Sequence, residues 1–595
     1  MAKPSIMTSI ITWLTLLQRS TIPLTAFSYV TKPFLLNYHQ SVSTRRYTTA
    51  EIDISVESTS QLASTAEDRA NKAKETWSKI ALQPTLNKNK QIDLNKKSAL
   101  VYNKYLFNEF TAVKGTYFVN GLSNCQIGDR LCHPFEAHGY CKSFVFDGKG
   151  QISYTSHIVE TPLTRKERQE NKLLNRGVMS SVANMDSIWG NIQNSLSSKD
   201  RDTANLTADL WPPPGTKNAD GIDPVLITCT DNGEPYALDP KTLETKGLLA
   251  DVIPKLAMVF PTGTTCLAHT RVDEARNRFI MCVNSMVVPG KEFKGNVIMQ
   301  FIEFDTNFDV ISRREYATRF MVFHDWALTQ NYYVVPKNPA YLQWTNIMKF
   351  ATGQSLGTDV FAMEEETNGE FILIPRHDEN ESVREVQTNS FFNCFHFGPV
   401  FENISQNELI INGCIFDTYT FGGEMGFCAK SQEFDPIAWG SSKMAPPPQL
   451  DQFVIDMTSF QLKRRERVPV IPVDMPNFNG DAKPCKYVYF LGASRPEGWF
   501  PFRQIVKLNL ETFESSIYDA GDDHVVSEPM FIPRKNAKEE DDGFIISIVH
   551  DAKSEISKMI VWDSQSFDSG PIAEIPFDDL IPWCVHGSFH QDYNP

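Results

Sequence analysis

The chain has no paired-cysteine spacing, no phosphate-binding loop and no surplus of positive charge. Its 11 cysteines are odd in number and scattered without a CxxC step. That excludes cysteine-paired zinc sites and the disulfide lattices of short secreted proteins, so reduced, mostly buried thiols are expected. GK[ST] is missing, which removes the usual nucleotide reading. A net charge of -15, from 57 basic and 72 acidic residues, leaves no footprint for a phosphate backbone, and no nucleic-acid partner is expected. The apolar run "IMTSIITWLTLL" is too short to span a bilayer.

What is present is apolar bulk. The 595 residues are 41% hydrophobic and include 40 Phe, enough for two to four domains or one large all-β architecture.

Acid is absent from the first fifty residues: no Asp or Glu precedes Glu51. Lys3 leads the apolar run, and a Ser/Thr-rich stretch with Lys32, Arg45 and Arg46 follows it. This is transit-peptide composition behind a signal-like segment. Residues 1–50 are therefore expected to be a targeting presequence. The pair resembles the two-part plastid presequences of algae with secondary plastids, with Phe27 after Ala26 at the cleavage point and Leu24 departing from the small-residue rule. Plastid (chloroplast) localisation is the expectation and the secretory pathway the alternative.

Residues 51–104 are polar, with stretches such as "TAEDRANKAKETWSKIAL", and are expected to form a helical extension. From about Tyr117 the texture changes to short β-rich runs. "SFVFDGKGQISYTSHIV" is two strands joined at Asp147-Gly148, a strong hairpin signal. Further strand runs are "FIMCVNSMVV", "NVIMQFIEF", "NYYVVP", "ELIINGCIFD", "KYVYFLGA", "QIVKLNL", "FIISIVHD" and "KMIVWD". The segment from Arg165 to Leu196 is expected to be helical. Many short strands without βαβ helices predict an all-β fold, a sandwich, barrel or propeller. A propeller is favoured because its inner strands converge on one axis, and residues 105–595 suit about seven blades.

Four of the 12 histidines sit in phrases that give them a reason to face a metal: His269 in "CLAHTRVD", His324 in "MVFHDWALT", His396 in "NCFHFGPVFE" and His586 in "CVHGSFH". Imidazoles suit iron, copper, nickel and zinc. Gaps of 55, 72 and 190 residues exclude a finger or an HExxH helix, so a closed scaffold has to gather them. His133, His138, His157, His377, His524, His550 and His590 are taken as hydrogen-bonded or exposed residues.

These phrases resemble the carotenoid cleavage oxygenase family, from about Gly115 to Phe589. "SEPMFIPRKNAKEEDDGFIISIVHD" followed by "PWCVHGSFH" is similar to the family's "EPxFVPR…EDDGYLLSFVHD…HGTF" ending. "HDWALTQNYYVV" is similar to "HDFAITENYxVF", and "DPKTLET" to "DPxTLET". The resemblance implies a seven-bladed β-propeller with a helical and loop cap over one ferrous ion, Fe(2+), held by His269, His324, His396 and His586. It implies a carboxylate behind the imidazoles at three places. Glu528 matches one of the family's glutamates, whereas Asp231 and Asp474 stand at the other two, one methylene short; Glu234 is a nearby substitute for Asp231. Shortening pulls the backbone inward, admits a water or weakens the bond. The departures at Pro399, Val400, Thr270 and Val585 mark a divergent member.

The implied activity is dioxygen-dependent cleavage of a C=C bond in a carotenoid or apocarotenoid, giving aldehyde or ketone products. Phe395 and Phe589 are candidate substrate-lining residues, and Val178 to Ile192 is a candidate membrane-facing segment for monotopic association. The alternatives are a retinoid isomerohydrolase, a stilbene-cleaving relative, a pigment- or partner-binding propeller with a weak or lost iron site, and a glycan-binding propeller using the sequons at Asn205, Asn380 and Asn403.

Overall fold

The computed structural model describes residues 56–595 apart from 83–86, 95–98, 199–200, 217–218, 232, 288–295, 379, 420–426, 429–432, 435–445 and 495–498. The expected presequence lies outside the described residues. The chain divides into two units, Met1–Ser64 and Thr65–Pro595, and the account below concerns the second.

Among the described residues, beside two two-stranded ribbons, seven antiparallel sheets of four to six strands follow one another along the chain. Their inner strands, in order around the ring, are Cys584–Gln591, Asp209–Trp211, Arg271–Asp273, Ala327–Leu328, Asn393–Asn403, Val473–Phe478 and Met530–Pro533. This is the expected seven-bladed propeller, and every strand run named from the sequence falls on a strand. The ring closes when the last strand, Cys584–Gln591, pairs with Lys114–Ser123, so the two ends of the described chain share one blade.

Between blades the apolar faces meet in separate cores. One of them joins Phe279, Met281 and Phe304 to Trp211 and Ile227. Alternation accounts for the outer strands: residues 311–317, within Val310–Arg319, read exposed and half-buried in turn, with Arg313 and Glu315 outward. The hairpin at Asp147-Gly148 forms as expected. Gly148 and Gly150 have φ of 76° and 86°, where only glycine is unstrained, and the Asp147 carboxylate accepts from the Lys149 and Gln151 amides.

Two expectations are revised. The extension is helical only through Val56–Ala81. Its second half supplies edge strands, Lys88–Asp93 on the closing blade and Leu100–Val101 on the seventh, where polar alternation suits a strand with one open edge. The segment from Arg165 to Leu196, expected to be helical, holds two helices, Pro162–Glu170 and Ile188–Leu196, with non-helical chain between them. Thr161 and Ser187 cap their starts, and Asn171, at φ 47° and ψ 47°, ends the first. The ten cysteines with described side chains are buried free thiols, as their scatter predicts.

Helix Pro162–Glu170 is tied to the propeller by buried charge. Glu167 accepts from Arg201 at 2.8 and 3.1 Å and lies 2.8 Å from His138 Nε2. Burial alone would raise the Glu167 carboxyl, but His138 and Arg201 outweigh it and hold it at about 2. Glu167→Gln leaves Arg201 buried without its counter-charge, and a loss of about 3–5 kcal/mol is expected from denaturant unfolding. A depressed carboxyl contributes stability that is complete above its unfolded value of about 4.3 and is lost as pH falls toward 2. His138, pushed down by burial, acts in the same direction. Acid titration of the wild type should therefore show a loss in that window which Glu167→Gln lacks.

Candidate metal centre

The four histidines come from four blades and meet at the hub. One ring nitrogen from each lies within 4.8 Å of the others. Points so spaced share a centre no more than about 3 Å from each, against ~2.0–2.1 Å for a metal–imidazole bond. All four are buried. His269 and His324 stand just ahead of the inner strands of the third and fourth blades, whereas His396 and His586 lie within those of the fifth and first.

The remaining three blades supply carboxylates. Asp231 of the second blade is hydrogen-bonded to His324 Nδ1, Asp474 of the sixth lies 2.7 Å from His396 Nδ1, and Glu528 of the seventh lies 3.0 Å from His586 Nδ1. A carboxylate acceptor fixes the proton on Nδ1 and leaves Nε2 as a bare lone pair. His396 Nε2 is buried with no hydrogen-bond partner, and His324 Nε2 stands only 3.0 Å from His269 Nε2. Lone pairs crowded in a dry hub repel one another unless a cation lies between them. The donor set therefore fits a divalent transition metal, with the three carboxylates spreading its charge.

The shorter aspartates are accommodated by the backbone. The pairing of the sixth inner strand slips between Asp474 and Asn477, and Met475 adopts φ 51°. This bulge carries the Asp474 carboxylate to the ring, and its oxygen also accepts from the Met475 amide at 2.9 Å. Asp231 takes the Ala268 amide at 3.0 Å, so it grips the chain beside His269 as well as the His324 ring. Glu234 turns away to the Gly263 amide.

Burial, followed by the neighbouring imidazoles, pushes the His269 ring well below its usual value. Burial would also lower His324, but Asp231 outweighs it and the shift is upward. The two rings face the same centre with different basicity.

Phe395 stacks on His324, with centroids 4.5 Å apart and planes at 16°. Phe589 does not reach the hub. Strand alternation sends it to the face opposite His586, into the core with Tyr117 and Phe146. His550 is held by Ser527 and Ser557 and His138 by Glu167, so neither joins the centre. Sequence reasoning assigned nothing to Asp325, Trp326 or Arg271, which surround His269; Asp325 and Trp326 follow directly on His324.

The fold and site define a seven-bladed propeller with a four-histidine hub. A profile of the retinal pigment epithelial membrane protein family matches residues 111–591, and the chain belongs to that family. The apocarotenoid-15,15'-oxygenase of Synechocystis is 25% identical over 484 residues, 80% of this chain and 91% of its own length. Carotenoid cleavage dioxygenase 7 of Oryza sativa, a chloroplastic protein by its name, is 24% identical over 80% of this chain and 85% of its own. Isoeugenol monooxygenase of Pseudomonas putida is 22% identical over 81% of this chain and 92% of its own. Among solved structures, cobalt-substituted Synechocystis apocarotenoid oxygenase superposes with a TM-score of 0.71 at 20% identity, covering 87% of this chain and 98% of that one.

Asp474→Ala removes the acceptor from His396 Nδ1. A 10–100-fold loss of metal affinity is expected, read by titrating the apoprotein with Fe(II) or Co(II); wild-type affinity would deny Asp474 this role.

Proposed function

We propose that the chain is a non-haem iron dioxygenase that cleaves a C=C bond of a carotenoid or apocarotenoid into aldehyde or ketone fragments. The observation that carries this reading is the hub itself: bare imidazole nitrogens gathered at one buried point, three of the rings backed by carboxylates. A bound ferrous ion supplies the electron transfer that dioxygen needs. His269, His324, His396 and His586 would hold it, and Asp231, Asp474 and Glu528 would fix their protons at Nδ1.

The rest of the site suits a long apolar substrate. Aromatic contacts run outward from His324 through Phe395, Phe416, Trp499 and Phe500 to Trp583 and Trp77, each ring within 6.4 Å of the next. These rings belong to one buried cluster; a rigid polyene bound along it would be aligned by stacking and kept from water, leaving the metal to choose the reacting bond by distance. No acid–base pair is needed for the cleavage.

The test is oxygen uptake with product mass spectrometry on β-carotene, apocarotenals and isoeugenol, with His324→Ala as control. The proposal expects carbonyl fragments from a polyene and loss of iron and turnover in the variant. Turnover of isoeugenol alone would move the chain to the phenylpropanoid side of its relatives. Pigment absorbance without oxygen consumption would make it a binding protein.

The substrate class points to a lipid surface as a partner. Ile188, Trp189 and Leu196 are 78%, 77% and 81% exposed on helix Ile188–Leu196, where large apolar side chains seldom stand in water. Trp344 and Met348 add to them from helix Trp344–Ala351, which adjoins through Gly353. Among the described residues no helix is long and apolar enough to cross a membrane, so association would be monotopic. The combined Ile188→Ser, Trp189→Ser and Leu196→Ser variant is expected to lose sedimentation with phosphatidylcholine vesicles. Undiminished sedimentation would exclude this face.

A further inference from the structure

His269 is the exception at the hub. The other three rings each have a carboxylate within hydrogen-bond distance of Nδ1, but the nearest carboxylate oxygen to His269 Nδ1 is Asp325 Oδ1 at 3.8 Å. That oxygen already accepts from Arg271 Nη2 at 2.5 Å and from the Trp326 amide at 2.7 Å. The other oxygen of Asp325 accepts from the Phe397 amide at 2.9 Å.

These partners have one thing in common. Arg271 is two residues beyond His269, Trp326 is two beyond His324, and Phe397 follows His396. A single buried carboxylate thus grips the chain beside three of the four histidines, on three successive blades. Two more bonds tighten the same corner: Trp326 Nε1 donates to the His269 carbonyl at 3.0 Å, and Arg271 Nε donates to the Trp326 carbonyl at 3.1 Å. The Arg271 guanidinium also lies over the Trp326 ring.

We propose that Asp325 is a positioning residue of the metal centre, a fourth carboxylate that acts on His269 through space and on the spacing of three imidazoles through the Arg271 side chain and the Trp326 and Phe397 amides. Its negative charge favours the His269 proton on Nδ1, leaving Nε2 free. Arg271 holds it away from His269, the one imidazole of the four with no carboxylate within hydrogen-bond distance of Nδ1. Asparagine cannot replace it. Whichever way the amide turns, its NH2 faces either the Arg271 and Trp326 donors or the Phe397 amide, and the charge is gone.

The inference rests on the metal-centre reading, and its test separates the two. Cobalt(II) is titrated into wild type, Asp325→Asn and Trp562→Phe, following affinity, the d–d absorption of the saturated protein and the melting temperature of the apoprotein. Asp325→Asn is expected to bind 10–100-fold more weakly and to show a shifted band at saturation, which a loss of stability alone does not produce. Trp562→Phe, on the buried strand Ile556–Asp563 of the seventh blade, loses core volume away from the histidines. It is expected to melt earlier with affinity and band unchanged. If Asp325→Asn does not fold, Arg271→Lys keeps the charge and loses the two-pronged grip, and should shift the same band. Wild-type affinity and band in Asp325→Asn, or a wild-type band in Arg271→Lys, overturns the proposal alone. A wild-type protein that takes up no cobalt overturns it together with the metal-centre reading.

Discussion

The structure turns on one electrostatic constraint: ring nitrogens stripped of proton donors have to share a dry point at the hub. Their mutual repulsion is tolerable only with a cation among them, and the ring of blades has to hold them there. Each of the seven blades contributes one group to that end, four of them an imidazole and three a carboxylate. The closing blade is included, since His586 lies on the strand that pairs with Lys114–Ser123. Closure of the ring and completion of the ligand set are thus one event, and a chain that fails to shut the propeller also fails to assemble the site.

Charge explains why carboxylates accompany the imidazoles. Four neutral ligands leave a divalent ion undiminished, and burying that charge in an apolar shell is costly. Three anionic groups one ring away spread it without entering the coordination sphere, and they fix tautomers as they do so. The pattern is also asymmetric. His324 is raised by Asp231 while His269 is lowered by burial and its neighbours, although their Nε2 atoms are 3.0 Å apart.

Much of this was legible in the sequence because the chemistry is written in local phrases. Each histidine carries a recognisable flank, and the strand runs follow the two-residue period that half-buried sheets require. The presence of Asp231 and Asp474 was legible too, but not its consequence. The bulge at Asp474 and Asn477 is a backbone response that side-chain patterning does not encode. Phe589 was misplaced for a simpler reason: an odd offset from His586 on a strand points to the opposite face, and proximity in sequence hid that. The segment from Arg165 to Leu196 was read as helical throughout, while Asn171 and Ser187, a stop and a start, were overlooked. Asp325 went unassigned because its partners are backbone amides and an arginine spread over three blades, a convergence that no linear spacing records.

The same division separates what the family shares from what this chain adds. The hub needs only imidazoles, carboxylates and a closed ring, so it is compatible with substrates as different as the polyenes and phenylpropenes in its relatives' names. Selection has to come from the apolar wall. The aromatic path from Phe395 to Trp77 is built from four separate places: the fifth blade, the segment Trp499–Phe500, the approach to the last strand, and the N-terminal extension. Trp77 is 2% exposed and meets Phe500 at 4.8 Å and Trp583 at 5.6 Å. Trp583 in turn lies three residues before His586. The far end of the cluster is therefore tied to the metal centre through a single short strand entry, and on the proposed function a change in the extension's packing would displace a polyene bound along it. In a polyene, where adjacent double bonds differ only in position, displacement along the axis is what distinguishes one cleavage product from another.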